Sequence, residues 1–215
     1  MPSIVSRYVA LLAILLGAPN FVFAGEEQSS ASMKVAFELG HSGQKNQELL
    51  KRIRSEETKI QFIDTPLEEV VQYLKQLHHT EVQIDQHALA QAELKIDLPI
   101  TLNVEGVDLE DGLNVLCARN KLGWYIENEM IFITSAQAEA SHMTVRVYAN
   151  PDGILDEDEL TLAITGTIQP DSWSDSRQGG SIRAVPSGNF ILVRQNRLAH
   201  EQIESLIRLL SGIED

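Results

Sequence analysis

The sequence predicts an α+β protein of two tandem small domains, in the chain order βαββαββ followed by βαββα. Three observations carry this. Short alternating apolar runs suited to strands are interleaved with longer runs of helical period. A strand–helix phrase near residue 60 returns 42 residues further on. The 215-residue chain, 43% apolar and 22% charged, has the length and composition of one or two globular domains.

The first domain is expected over residues 58–138. Ile60 and Phe62 alternate with polar neighbours as a strand. Asp64, Thr65, Pro66, Leu67 and Glu68 then open a helix. Thr65 is placed at the N-cap with Glu68 three residues on, a capping box, and Pro66 at the first helical position. Leu67, Val70, Val71, Leu74 and Leu77 fall on one stripe of that helix, and Val82 with Ile84 forms a second strand. Asp108, Leu109, Glu110, Gly112, Leu113 and Leu116 echo the first phrase after a strand at 100–104. Strands at 124–126 and 130–133, joined at 127–129, complete the domain. Two copies are too few for a solenoid and fit one compact domain, with both helices packed on small sheets.

Residues 135–141 have no apolar period and read as a junction, so the second domain is expected over residues 139–215. Its strand is 144–148, its first helix carries Leu160, Ala163, Ile164 and Ile168 and stops near Pro170, and a hairpin joins 181–185 to 190–193 around Pro186 and Gly188. Ala199, Ile203, Leu206, Ile207 and Leu210 mark a last amphipathic helix that ends by Gly212. At about 75 residues such a unit buries only ~60% of its surface, so packing against the first domain should help it.

The N-terminus predicts an exported protein. Arg7 precedes the apolar run 8–17, and in Val22, Phe23 and Ala24 the first and last supply small residues at the two cleavage subsites, so residues 1–24 read as a signal peptide. Residues 25–57 are expected to be a flexible leader with one short helix at 47–53. The expected location is the periplasm or the exterior, with no integral membrane segment after cleavage. With 17 Lys and Arg against 31 Asp and Glu, the net charge of -14 argues against nucleic acid as a partner. One cysteine excludes a disulfide framework.

Three segments of the first domain then resemble a known family: residues 60–71, from Ile60 through Thr65, Pro66 and Leu67 to Val71; residues 104–113, with Asp108, Leu109, Glu110 and Leu113; and residues 124–133, from Trp124 to Ile133. Together they look like the secretin and TonB short N-terminal (N0-like) domain. Residues 143–211, through the runs 183–194 and 198–207, look like the secretin N1 module with its KH-like chain order. The resemblance implies a non-catalytic module for protein–protein interaction or assembly in the bacterial envelope, with an envelope protein as partner. The secretin pore domain is not expected in this chain, which ends at Asp215.

Few residues offer chemistry of their own. Asn150, Asp152, Asp156 and Glu159 match EF-hand positions around Gly153, but Tyr148 stands at position one and Pro151 interrupts the loop. An acidic helix start over 156–159 is the competing reading, and the one favoured. Gly40 to Gly43 matches the GxxG of KH domains in letters only, without basic surroundings. His78 and His79 fit the end of a helix, and His200 with Glu204 an i, i+4 pair on a helix surface without the partners of a zinc site. Cys117 lies on an apolar helix face, where burial is expected. No cofactor or metal is expected, and no GxSxG, Walker loop or CxxC supports an enzyme. Trp173, in a polar loop, is either a lid over the small core or an exposed anchor, and is the one candidate partner-binding residue. The alternative function is a soluble periplasmic hydrolase or a calcium-dependent binding protein.

Overall fold

In the computed structural model, residues 34–215 form one compact unit. The structure describes residues 36–38, 42–149, 155–174, 179–185 and 190–210. The signal peptide over residues 1–24, the start of the leader, the centre of the acidic loop at 150–154 and Gly212 lie outside the described residues.

The elements run β1 (Ala36–Glu38), α1 (Gly43–Ile53), β2 (Glu57–Pro66), α2 (Leu67–His78), β3 (Val82–Ile84), α3 (Gln86–Gln91), β4 (Pro99–Asp108), α4 (Leu109–Arg119), β5 (Leu122–Glu127), β6 (Met130–Ser135), α5 (Ala136–Ser141), β7 (Thr144–Ala149), α6 (Glu157–Thr167), a 3-10 turn (Pro170–Ser172), β8 (Ser181–Val185), β9 (Phe190–Gln195) and α7 (Arg197–Leu210). Three sheets result. β2 and β4 form an antiparallel ribbon, β3-β6-β5 a mixed sheet, and β1-β7-β9-β8 an antiparallel one. This is the α+β class that the periodicities predict.

The 42-residue echo is structural. Glu57 pairs with Asp108 and Pro66 with Pro99, so the two strand–helix phrases lie head to tail across the ribbon. Each strand carries a bulge, with a left-handed residue at the equivalent place: Asp64 at φ 49° and Gly106 at φ 74°. Ile60, Phe62, Ile100 and Leu102 turn inward from the ribbon, and α2 and α4 close over them with Leu67, Val70, Val71, Leu74, Leu109, Leu113 and Leu116. Each of these leucines is worth roughly 1.5–3 kcal/mol of burial.

The expected capping box at Thr65 does not form. α2 begins at Leu67, and its N-cap Pro66 makes no side-chain bond. Thr65 is held in the ribbon opposite Ile100, so the first N–H groups of α2 turn to the 96–98 loop: Leu67 donates to Leu98 O at 2.9 Å and Glu68 to Ile96 O at 3.1 Å. Asp108 is a true cap in the second copy, its Oδ1 accepting from Asp111 N at 2.8 Å. Leu77 is exposed and His78 takes its place inside, because residue 78 lies four positions after Leu74 and seven after Val71.

The segment 43–57 also differs from the expected leader. α1 is a full eleven-residue helix, and Leu49, Leu50 and Ile53 enter the first core. Its start clamps the β5–β6 turn, where Asn128 and Glu129 both have positive φ: Glu129 N donates to Asn46 Oδ1 at 3.0 Å, and Lys45 pairs with Glu129 at 2.6 Å. The junction at 135–141 is not loose either. Ser135 caps α5, accepting from Ala138 N at 3.2 Å.

A second core gathers Tyr148, Leu160, Ile164, Ile168, Ile191, Val193, Ala199, Ile203 and Ile207. The sheet beneath it is wider than expected, because β1 pairs with the edge of β7. Within the one compact unit, the described elements around each core make up a lobe.

Candidate functional site: a charged seam between two cores

α7 presents two rows of side chains. Ala199, Ile203 and Ile207 enter the second core, as the apolar stripe requires. Beside them, Arg197, Glu201 and Glu204 at i, i+4 and i+7 form a charged row that engages the first lobe. The surface reading of His200 and Glu204 is thereby overturned: their relative exposures are 0% and 8%.

Two arginines fasten this row. Arg54, the C-cap of α1, donates through Nε to Glu110 Oε2 at 2.7 Å and through Nη2 to Glu110 Oε1 at 3.2 Å. That fork holds the guanidinium so that Nη1 reaches Glu204 Oε2 at 3.5 Å. Arg146 of β7 donates to the other Glu204 oxygen at 2.8 Å. Glu204 therefore lies between one arginine from each lobe.

Arg197 makes the second fastening. Its Nε donates to Trp124 O and to Glu139 Oε1, both at 3.1 Å, its Nη2 lies 3.0 Å from the same carboxylate oxygen, and its Nη1 pairs with Glu201. The guanidinium carbon stands 4.1 Å from the centroid of the Trp124 ring, a cation–π contact. Glu139 reaches this place because Gly123 has no side chain, and a Cβ there would come within 2.5 Å of Glu139 Cβ. Asn196 Nδ2 adds a bond to Ala140 O at 3.3 Å.

Burial sets the protonation of the neighbouring groups. His200 Nε2 can only donate to the Thr144 carbonyl at 3.2 Å, so Nδ1 accepts from the Tyr148 hydroxyl at 2.7 Å. Desolvation, aided by the Arg146 charge, lowers the His200 pKa to about 3, so the ring is neutral. Desolvation raises the Tyr148 phenol and the Cys117 thiol. It also lifts Glu201 to about 7, with Arg197 pulling the other way. Burial lowers His78, whose Nε2 lies 2.9 Å from Thr58 Oγ1.

The arginines and carboxylates of the seam are thus spent on one another. A cleft beside them, lined by Gln47, Leu50, Trp124, Tyr125, Thr144, Arg146 and Arg197 among others, measures about 30 Å³, room for about one water. Arg146 Nε, Thr144 Oγ1 and Gln47 Nε2 are buried without a hydrogen-bond partner. Among the described residues, no group of three or more His, Cys, Asp or Glu side chains could hold a metal ion.

The residues singled out from sequence lie apart from the seam or serve it structurally. Cys117 is buried on α4. Asp156 and Glu159 form a capping box at the start of α6, with Glu159 N donating to Asp156 Oδ1 at 2.7 Å, as the acidic-helix reading expects. Trp173 is half-buried against the second core and donates through Nε1 to Ile168 O at 2.7 Å. Arg54, Glu110, Glu139, Arg146, Arg197 and Glu201 were not foreseen as a group. The charged row flanking the α7 stripe was the one signal for them.

Among the described residues, no helix is long and apolar enough to cross a membrane. No family model matches the chain, and no curated protein does. Among solved structures, the chain is similar to secretin N-terminal domains. One match is a structure described as InvG N0N1 with SpaPQR and PrgHK from the Salmonella SPI-1 injectisome base, at 16% identity and a TM-score of 0.32, covering 73% of this chain and 96% of that one. A second is the V. cholerae type IV competence pilus secretin PilQ, at 16% identity and a TM-score of 0.27; the match covers 71% of this chain and 37% of PilQ. A third is the N-terminal domain of the secretin XcpQ from Pseudomonas aeruginosa, at 14% identity and a TM-score of 0.26, covering 74% of this chain and 66% of that one. At scores this low, the functional reading rests on the residues themselves.

Proposed function

We propose that this chain is an exported, non-catalytic module for protein–protein interaction or assembly in the bacterial envelope. The observation that carries the reading is the seam. Arginines and carboxylates that the fold draws together from distant parts of the chain neutralise one another and join one lobe to the other. The resemblance of residues 58–134 and 143–211 to secretin N0 and N1 modules supports the same reading, and the signal-peptide pattern of residues 1–24 supports export to the periplasm. The partner is an envelope protein. Trp173 is the residue we assign to its contact, through the part of the ring that packing leaves exposed.

The test is cross-linking of the full chain in its native envelope, followed by reconstitution of the captured complex from purified components. A saturable one-to-one or ring-forming complex, weakened by Trp173→Phe, is the expected result. Saturable turnover or micromolar calcium binding by the purified chain, lost in Glu159→Gln, would replace this reading with the hydrolase or calcium-binding alternative.

A further inference from the structure

The two buried cores share no residue. Across the seam run the Arg54–Glu204 pair, Arg197 on the carbonyl and ring of Trp124, and Arg197 with Asn196 on α5. Each of the arginine contacts depends on a charge, and the carboxylates that answer them are 10% and 16% exposed at the side chain. Pairs this far buried are screened by salt much less than exposed ones, so removing the charge by substitution is what releases them. Closing the seam also leaves Arg146 Nε, Thr144 Oγ1 and Gln47 Nε2 without partners. Opening to water would give each of these atoms a partner.

We propose that the seam is an ionic clasp: releasing Arg54 from Glu204, and Arg197 from Glu139 and Trp124, lets the second lobe swing from the first with both cores folded. The chain crosses between the lobes twice: just after His142, whose ring stacks on Tyr125 at 3.9 Å and so anchors α5 to the first lobe, and between β1, which pairs with β7, and α1 in the first core; these two crossings are the hinge. Polar interfaces between domains permit relative motion by default, and here the charged fastening runs through a few named side chains. The inference goes beyond the proposed function and holds or falls independently of any partner.

The test uses the full chain with spin labels at Gln72→Cys and Gln202→Cys, two exposed positions on α2 and α7. Distances are measured by electron–electron resonance in the otherwise unsubstituted chain and in Arg197→Met, which keeps an apolar stem without the charge. Trp173→Phe leaves Trp124 as the sole tryptophan, so its fluorescence reports loss of the overlying guanidinium. The expected result is one narrow distance in the unsubstituted chain and an added longer one in Arg197→Met. Trp124 emission should shift in step while circular dichroism stays constant, and Arg197→Lys should lie between. A single unchanged distance under all conditions, or a change that appears only together with loss of secondary structure, overturns the clasp. Arg54→Met gives the same reading should Arg197→Met fail to fold.

Discussion

The backbone N–H of Leu67 donates to the carbonyl oxygen of Leu98 at 2.9 Å, and 42 residues later the N–H of Leu109 donates to that of Glu56 at the same distance. Each helix of the repeat is started by the residue that precedes the other copy's strand. Each helix start therefore depends on the chain that leads into the opposite strand of the ribbon.

Caps follow from this exchange. Thr65→Ala should cost little, within about 0.5 kcal/mol, because the hydroxyl caps nothing and the α2 N–H groups are satisfied by backbone. Asp108→Ala removes a real cap and should cost about 1 kcal/mol. Urea unfolding of both variants checks the contrast, and equal losses would contradict it.

The paired bulges make a second test. At Gly106 a Cβ would meet nothing within 4 Å, so Gly106→Ala isolates the cost of positive φ, about 1 kcal/mol or slightly more. Asp64 bears the same conformation but is compensated: Thr101 Oγ1 accepts from its N–H at 2.9 Å and donates to its Oδ1 at 3.2 Å. Asp64→Gly should consequently change stability less than Gly106→Ala, measured by thermal unfolding.

Stability should form a broad plateau between about pH 5 and 6, where the two opposite dependences of His200 and Glu201 nearly cancel. The folded pKa of His200, about 3, is below its unfolded value, so the unfolded chain binds more protons and stability falls as pH drops from about 6.5 toward 3. Glu201 has the opposite sign. Its folded pKa of about 7 is above the unfolded value, so the folded chain holds the extra proton and stability falls as pH rises from about 4.5 through 7. Each limb has a slope of at most about 1.4 kcal/mol per pH unit. In denaturant titrations across pH, Glu201→Gln should flatten the upper limb and His200→Gln the lower one.

Trp173→Ala should lower the melting temperature by several degrees, because the ring covers the second core and its Nε1 satisfies the Ile168 carbonyl. Trp173→Phe should keep most of the packing and lose that hydrogen bond. An unchanged melting temperature in Trp173→Ala would place the ring outside the core.

The sequence by itself determined the elements and their apolar faces: the strand period at Ile60 and Phe62, the stripes of α2, α4 and α7, the turn at 127–129, and the repeat. These are encoded within a few residues, because side chains at i, i+3 and i+4 or at i and i+2 share a face wherever the element finally packs. What only the tertiary structure decided was which charges are buried. Arg54 meets Glu110 56 residues away and Glu204 150 residues away. His200 and Glu204 are buried because β7 brings Tyr148 and Arg146 against them. Thr65 loses its capping role for the same reason, since a ribbon partner from residue 100 holds it extended. A polar side chain's place depends on what lies opposite, and local pattern does not carry that.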